Sequence, residues 1–204
     1  MSKIDVFIIG AQKAGTTSVY DWLGQHPEID APEHIKDYHF FTDKALFKKG
    51  IEHLEEQYKL HNKLKIHCAV NYLYFSKIVS ERIHSYNPEA KIIVCLREPV
   101  ARAISAYKYF IRTLRENNDF SESLRLEKQD KLKSFAEKAD NAYISHGNYA
   151  EQISDYIQYF PNSKIHYIVF EELIDSDKQA NIMSDLCEFL GVRRDFVFNF
   201  THLN

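Results

Sequence analysis

Ile4-Asp5-Val6-Phe7-Ile8-Ile9-Gly10-Ala11-Gln12-Lys13-Ala14-Gly15-Thr16-Thr17-Ser18 is the stretch that decides the fold. Residues 4–9 form a short, mainly apolar run of the buried-strand kind, and Gly10 ends it. From residue 16 to 25 the pattern turns helical, with Val19, Trp22 and Leu23 on one face, and His26-Pro27 stops it. Between strand and helix, Gly10 and Gly15 let the backbone turn tightly. The first helical N–H groups then converge on one point with the helix dipole behind them, which is how a chain cradles an anion. Gln12, Lys13, Ala14, Thr16, Thr17 and Ser18 complete the cradle, and Lys13 adds a full positive charge to it.

The same alternation continues outward. Residues 65–70 and 164–170 read as strands, and residues 91–96 (Lys-Ile-Ile-Val-Cys-Leu) give a continuous apolar run, as a parallel strand covered on both faces requires. Helices are expected over 51–60, 76–86, 99–112, 149–160 and 178–190, the third opened by Pro99 and the last closed by Gly191. Residues 28–50 read as an irregular functional loop, and the Lys/Glu mixture of 113–140 as a solvated helical face. Strands alternating with helices predict an α/β fold: a three-layer, P-loop-type sandwich with a central, mostly parallel sheet flanked by helices, in one domain over residues 1–204.

With 204 residues, 45% of them hydrophobic, the chain can bury one sizeable core. A net charge of −3 gives no global reason to expect a nucleic-acid partner. No apolar run is long enough to span a bilayer, and no secretory signal opens the chain. Cys68, Cys95 and Cys187 are odd in number and unclustered, so they read as reduced core thiols. A cytoplasmic protein, at most peripheral to a membrane, is expected.

The loop differs from a nucleoside-triphosphate site in one informative way. That motif, G-x-x-x-x-G-K-[ST], puts a lysine after the second glycine. Here Gly10 and Gly15 keep the spacing, Thr16 holds the lysine position, and the lysine has moved to 13. Strand 91–96 ends in Arg97, followed by Glu98, where a magnesium-binding carboxylate would be expected. Both features point to a donor without β- and γ-phosphates, and no metal is expected. A P-loop kinase remains the rival reading.

These segments resemble the PAPS-dependent sulfotransferase family. Gly10 to Ser18 looks like its 5′-phosphosulfate loop, and Cys95-Leu96-Arg97-Glu98-Pro99-Val100-Ala101-Arg102-Ala103-Ile104-Ser105-Ala106-Tyr107 is similar to its 3′-phosphate motif. The resemblance implies that Arg97 and Ser105 grip the 3′-phosphate of 3′-phosphoadenosine 5′-phosphosulfate (PAPS). Sulfuryl transfer needs positive charge on the departing phosphate oxygen, and Lys13, placed to reach both the 5′-phosphate and the bridging oxygen, is the candidate for it. Gly147-Asn148-Tyr149 and Glu171-Glu172-Leu173 extend the likeness, in the branch that contains heparan-sulfate and bacterial enzymes. The glycan-type glutamate that acts as base lies three residues before a Phe-Phe pair. Asp37 holds that place ahead of Phe40-Phe41, and His39 is the second candidate base. The implied activity is sulfuryl transfer to a hydroxyl or amine, with a glycan or lipid-linked saccharide as acceptor. Two positions depart from the family: Val70 falls where a lysine is usual, and no late basic, glycine-containing loop is visible. These departures favour a second alternative, a nucleotide-binding module without catalysis.

Overall fold

The computed structural model describes residues 3–60 and 62–200. β1 (Val6–Gly10) is buried along its whole length. It lies between β3 (Leu64–Cys68) and β4 (Lys91–Leu96), while β2 (Ile29–Asp30) and β5 (Ile165–Val169) form the edges, in the order β2-β3-β1-β4-β5. All four pairings are parallel. β1 and β4 are therefore largely apolar on both faces, while β3 buries Lys65 and His67 between apolar residues. β2 is the fifth strand, inside the segment expected to be irregular. Two residues are too short a run to show a period of two.

The helices flank this sheet: α1 (Thr16–Gly24), α2 (Lys44–Phe47), α3 (Ile51–Glu55), α4 (Ser76–Tyr86), α5 (Pro99–Arg112), α6 (Phe120–Lys128), α7 (Phe135–Asn141), α8 (Tyr149–Ile157), α9 (Phe170–Leu173) and α10 (Ser176–Leu190). Their ends follow local chemistry. Glu98 caps α5 with both carboxylate oxygens, accepting from Val100 N (2.9 Å) and Ala101 N (2.6 Å). Ser134 and Glu137 form a capping box on α7, and Gly191 closes α10 at φ 81°.

Residues 113–140 are not simply a solvated face. The buried Glu116 carboxylate accepts from Asn117 N, Asn118 N, Ser123 Oγ, Asn141 Nδ2 and Tyr143 Oη. The α6–α7 segment is thereby folded back on α5, where Phe110 and Tyr143 are buried together. Phe135 stacks on Phe75 at 4.5 Å. A lysine- and glutamate-rich composition conceals this, because one buried carboxylate organises the turn.

Two neutral histidines sit in this framework. His67 of β3 donates from Nε2 to the Tyr38 carbonyl at 3.0 Å and lies edge-on to Phe7. His146 stacks on Tyr74 at 4.0 Å and donates to the Lys138 carbonyl. Burial pushes each imidazole down to about 3. Their folded values lie below the ordinary 6.5. The unfolded chain therefore binds more protons between those limits, and stability rises with pH there. Urea unfolding at pH 7 and pH 5 is expected to show a loss on acidification. Each histidine contributes at most about 1.4 kcal/mol per pH unit. Equal stability at the two pH values would contradict the assignment of these rings as buried and neutral.

Candidate active site

A cavity of about 730 Å³ opens at the carboxyl ends of the strands, and every strand contributes to it. The loop after β1 supplies Gln12, Lys13, Gly15, Thr16, Thr17 and Ser18. Lys36, Asp37 and His39 follow β2, Val70 and Asn71 follow β3, Arg97 follows β4, and Phe170 follows β5. The chain runs from β1 to the β2–β3 side and only later crosses to β4 and β5. The β1 loop thus sits at the topological switch point, where parallel α/β sheets bind ligands.

The loop itself is built to face an anion. Gly15 adopts φ 84° as the cap of α1, and no side chain caps that first turn. An added Cβ at Gly15 would lie 2.7 Å from Leu173 Cδ2 and 3.1 Å from Phe170 Cδ2, and the positive φ itself strains any L side chain, so the position favours glycine. Lys13 also has positive φ (64°), which brings its carbonyl to Arg97: Nη1 donates to it at 3.0 Å. The Lys13 ammonium lies 4.4 Å from the Tyr109 ring centre. Its pKa is lowered by burial first, then by the charges of Arg112, Arg97 and Lys36. Five cationic side chains (Lys13, Lys36, Arg97, Arg112 and Arg115) line the cavity against three acidic ones (Asp21, Asp37 and Asp140). This local excess of two positive charges stands in a chain whose net charge is −3.

Asp37 and His39 are carried by a loop anchored at Phe40 and Phe41, both fully buried. Phe41 N donates to the Tyr72 hydroxyl (3.1 Å), and the His67 bond holds the Tyr38 carbonyl between the two candidates. Asp37 sits at φ 59°, with its N–H donating to the Cys68 carbonyl at the end of β3 (2.9 Å). Its Oδ1 accepts from Val70 N (3.3 Å) and its Oδ2 from Lys36 Nζ (2.7 Å). Burial alone would lower the Lys36 pKa, but the charge and hydrogen bond of Asp37 outweigh it and the net shift is upward. His39 Nδ1 and Asn71 Oδ1 are both buried without a hydrogen-bond partner.

The structure brings together Gln12, Lys13, Gly15, Thr16, Thr17, Ser18, Asp37, His39 and Arg97. Gly10, Ala14 and Ser105 are not among the lining residues. Gly10 has φ 141° against the Val70 carbonyl, Ala14 is buried in the core, and Ser105 is half-buried on α5. Three features of the site differ from the sequence reading or go beyond it. Glu98 is committed to capping α5, which removes the carboxylate that a kinase reading would use. Tyr72, two residues after Val70, is buried with its hydroxyl accepting from Phe41 N and donating to the Tyr38 carbonyl (3.3 Å), whereas Asn71 lines the cavity. Ala139 and Asp140 of α7 close over the loop, with Gln12 Nε2 donating to the Ala139 carbonyl (3.1 Å). Nothing in their sequence marks them, because only the long-range fold of 113–140 brings them there.

A parallel sheet with a lysine-bearing loop at its switch point, and an arginine on the adjacent strand end, defines a P-loop-like α/β fold. A family profile described as a sulfotransferase domain matches residues 3–201, and the chain belongs to that family. It is 28% identical over 171 residues to mouse (Mus musculus) heparan sulfate glucosamine 3-O-sulfotransferase 5, covering 82% of this chain and 48% of the relative. It is 27% identical over 211 residues to human (Homo sapiens) heparan sulfate glucosamine 3-O-sulfotransferase 6, covering 95% and 55%. The chain thus spans about half the length of these curated relatives. A crystal structure of a sulfotransferase from Alicyclobacillus acidocaldarius superposes with TM-score 0.84 at 28% identity, covering all of this chain and 87% of that one. A mouse sulfotransferase complexed with PAP shares the fold at TM-score 0.58 and 17% identity, covering 95% and 60%. Among the described residues, no helix is long and apolar enough to cross a membrane.

Burial lowers the pKa of His39, while the charges of Asp37, Asp140 and Asp43 raise it in part. By NMR the ring is expected to titrate below the ordinary 6.5. Asp140→Asn should move it lower still, because a carboxylate that favoured the imidazolium has lost its charge. An unchanged or raised midpoint in the variant would show that α7 does not close over His39.

Proposed function

We propose that this chain transfers a sulfuryl group from PAPS to a hydroxyl or amine acceptor, on a glycan or lipid-linked saccharide. The observation that carries the reading is the junction of the two donor motifs: the Lys13 carbonyl accepts from Arg97 while both cationic heads face one cavity. The residues fit the donor. Arg97 Nε is buried without a partner, and the Gly15 turn leaves the first N–H groups of α1 uncapped. The saccharide acceptor is supported by the heparan-sulfate relatives. Three buried, unpaired thiols fit a reducing cytoplasm.

In this reading PAPS supplies the sulfuryl group, and the chain supplies charge and a base. Lys13 and the first N–H groups of α1 at Thr16, Thr17 and Ser18 neutralise negative charge as it grows on the departing phosphate oxygen. Arg97 holds the 3′-phosphate as a planar fork, with Ser105 on the next helix as the second ligand expected from the family. Asp37 takes the acceptor proton. Its Oδ2 accepts from Lys36, which lines the same cavity as Val70, the position where the family motif has lysine. His39, kept neutral by burial, is the alternative base.

One observation favours a binding module: no cation is present at position 70 itself. Titration calorimetry and labelled PAPS separate the readings. Wild-type protein is expected to bind 3′,5′-ADP, and Arg97→Ala to weaken that binding at least about tenfold, or 1.4 kcal/mol. With a panel of saccharide acceptors, Asp37→Asn should lower transfer by about 10²–10⁴-fold while leaving 3′,5′-ADP binding intact. A larger loss in His39→Gln would transfer the base role to His39. Tight nucleotide binding without transfer to any acceptor would favour the binding module. No binding at all would exclude PAPS as the donor.

A further inference from the structure

The two halves of the cavity also meet at Phe170, a residue without a role in the reading above. It is the first residue after β5 and opens α9. Its ring centre lies 4.3 Å from the Arg97 guanidinium carbon. On the loop side, its Cδ2 would be 3.1 Å from a Cβ placed on Gly15. One aromatic ring thus touches both the anion loop and the arginine that the family motif assigns to the 3′-phosphate.

The remaining restraints on Arg97 act on its edge and backbone. Nη1 donates to the Lys13 carbonyl at 3.0 Å, and the arginine's own carbonyl accepts from the Tyr149 hydroxyl at 3.0 Å. Nε is buried and unpartnered. A guanidinium tied at one nitrogen can still rotate about that bond. A ring against its face removes the rotation, yet consumes none of its in-plane N–H donors. A carboxylate or amide at 170 would hold the arginine equally well but would occupy donors that a phosphate needs. An aliphatic side chain would fill the space beside Gly15 without the electrostatic attraction of a ring face for a cation.

We propose that Phe170 is a positioning residue: it holds the Arg97 fork in register for a nucleotide 3′-phosphate and so sets the preference for 3′-phosphorylated over plain 5′-nucleotides. This rests on the reading of Arg97 as the 3′-phosphate ligand. A residue that merely packs against the loop would affect every nucleotide alike. A residue acting through Arg97 changes the ratio between two nucleotides that differ only in that phosphate.

The test is calorimetric titration of 3′,5′-ADP and 5′-AMP into wild type, Arg97→Ala, Phe170→Ala, Phe170→Leu and Phe170→Tyr. In Phe170→Ala and Phe170→Leu the affinity ratio of the two ligands is expected to fall about threefold to tenfold. Phe170→Tyr, which keeps a ring, should retain the wild-type ratio. Adding Phe170→Ala to Arg97→Ala should not change the ratio further, because the arginine through which the ring acts is gone. The leucine variant preserves apolar volume beside Gly15 and serves if the alanine variant does not fold. An equal loss for both ligands, or an unchanged ratio in the leucine variant, would overturn the inference and leave Phe170 as packing. If Arg97→Ala itself left the ratio at its wild-type value, the 3′-phosphate reading would fall first and this inference with it.

Discussion

The hydrogen bond from Arg97 Nη1 to the Lys13 carbonyl is the contact on which the site depends. It joins the end of β4 to the loop after β1, two segments that pair in the sheet but diverge beyond it. A hydrogen bond to a charged group contributes about 1.5–3 kcal/mol, enough to set the conformation of a short loop. The partner carbonyl is available because Lys13 adopts φ 64°, a left-handed conformation that non-glycine residues rarely take. Strain of this kind persists only where surrounding contacts over-determine it. Here those contacts are Arg97, the Gln12–Ala139 bond and the close fit of Gly15 against α9.

The same arrangement gathers cations that repel one another. Arg112, Arg97 and Lys36 all depress the Lys13 pKa, after burial itself. Their mutual repulsion is an electrostatic cost that an anion in the cavity would relieve. The chain's negative charge opposes this little, because several of its carboxylates lie outside the cavity lining and have structural tasks there. Glu98 caps α5, Glu116 organises the α6–α7 turn, and Glu127 accepts from the backbone of Ile144 and Ser145. Net charge therefore says little about one cleft, whereas placement of the carboxylates says a great deal.

What was legible in the sequence follows from the range over which each feature is determined. Strand–loop–helix units are local: a buried run, a glycine turn and an amphipathic helix stand within about twenty residues, and β1–α1 and β4–α5 are read directly from them. β2 was invisible because two residues carry no period. The closure by α7 was invisible because it depends on Glu116 finding Asn141 and Tyr143, 25 and 27 positions away. Phe170 is equally silent in sequence. A phenylalanine ending a strand reads as core, and only the parallel order β4-β5 puts it over Arg97. The loop after β1 and the arginine after β4 are local and readable; the residues packed against them come from elements distant in sequence and are not.

The shorter acid at position 37 shows how the fold can compensate for a missing methylene. A glutamate reaches into a cleft by side-chain length, and an aspartate reaches the same point only if its backbone moves inward. Here the Asp37 N–H is bonded to the Cys68 carbonyl at the end of β3, and Val70 N–H donates to its carboxylate. Both bonds dock residue 37 against the strand end, and its positive φ of 59° is the conformational consequence. The buried Phe40-Phe41 pair and the His67 bond to the Tyr38 carbonyl fix the chain on the other side. Val70 takes part through its main chain alone, so loss of a lysine side chain there leaves this support untouched. Lys36, 2.7 Å from Asp37, brings a cation to the same rim of the cavity. Backbone position thus carries the shorter acid to the cavity, and the neighbouring strand end brings a cation beside it.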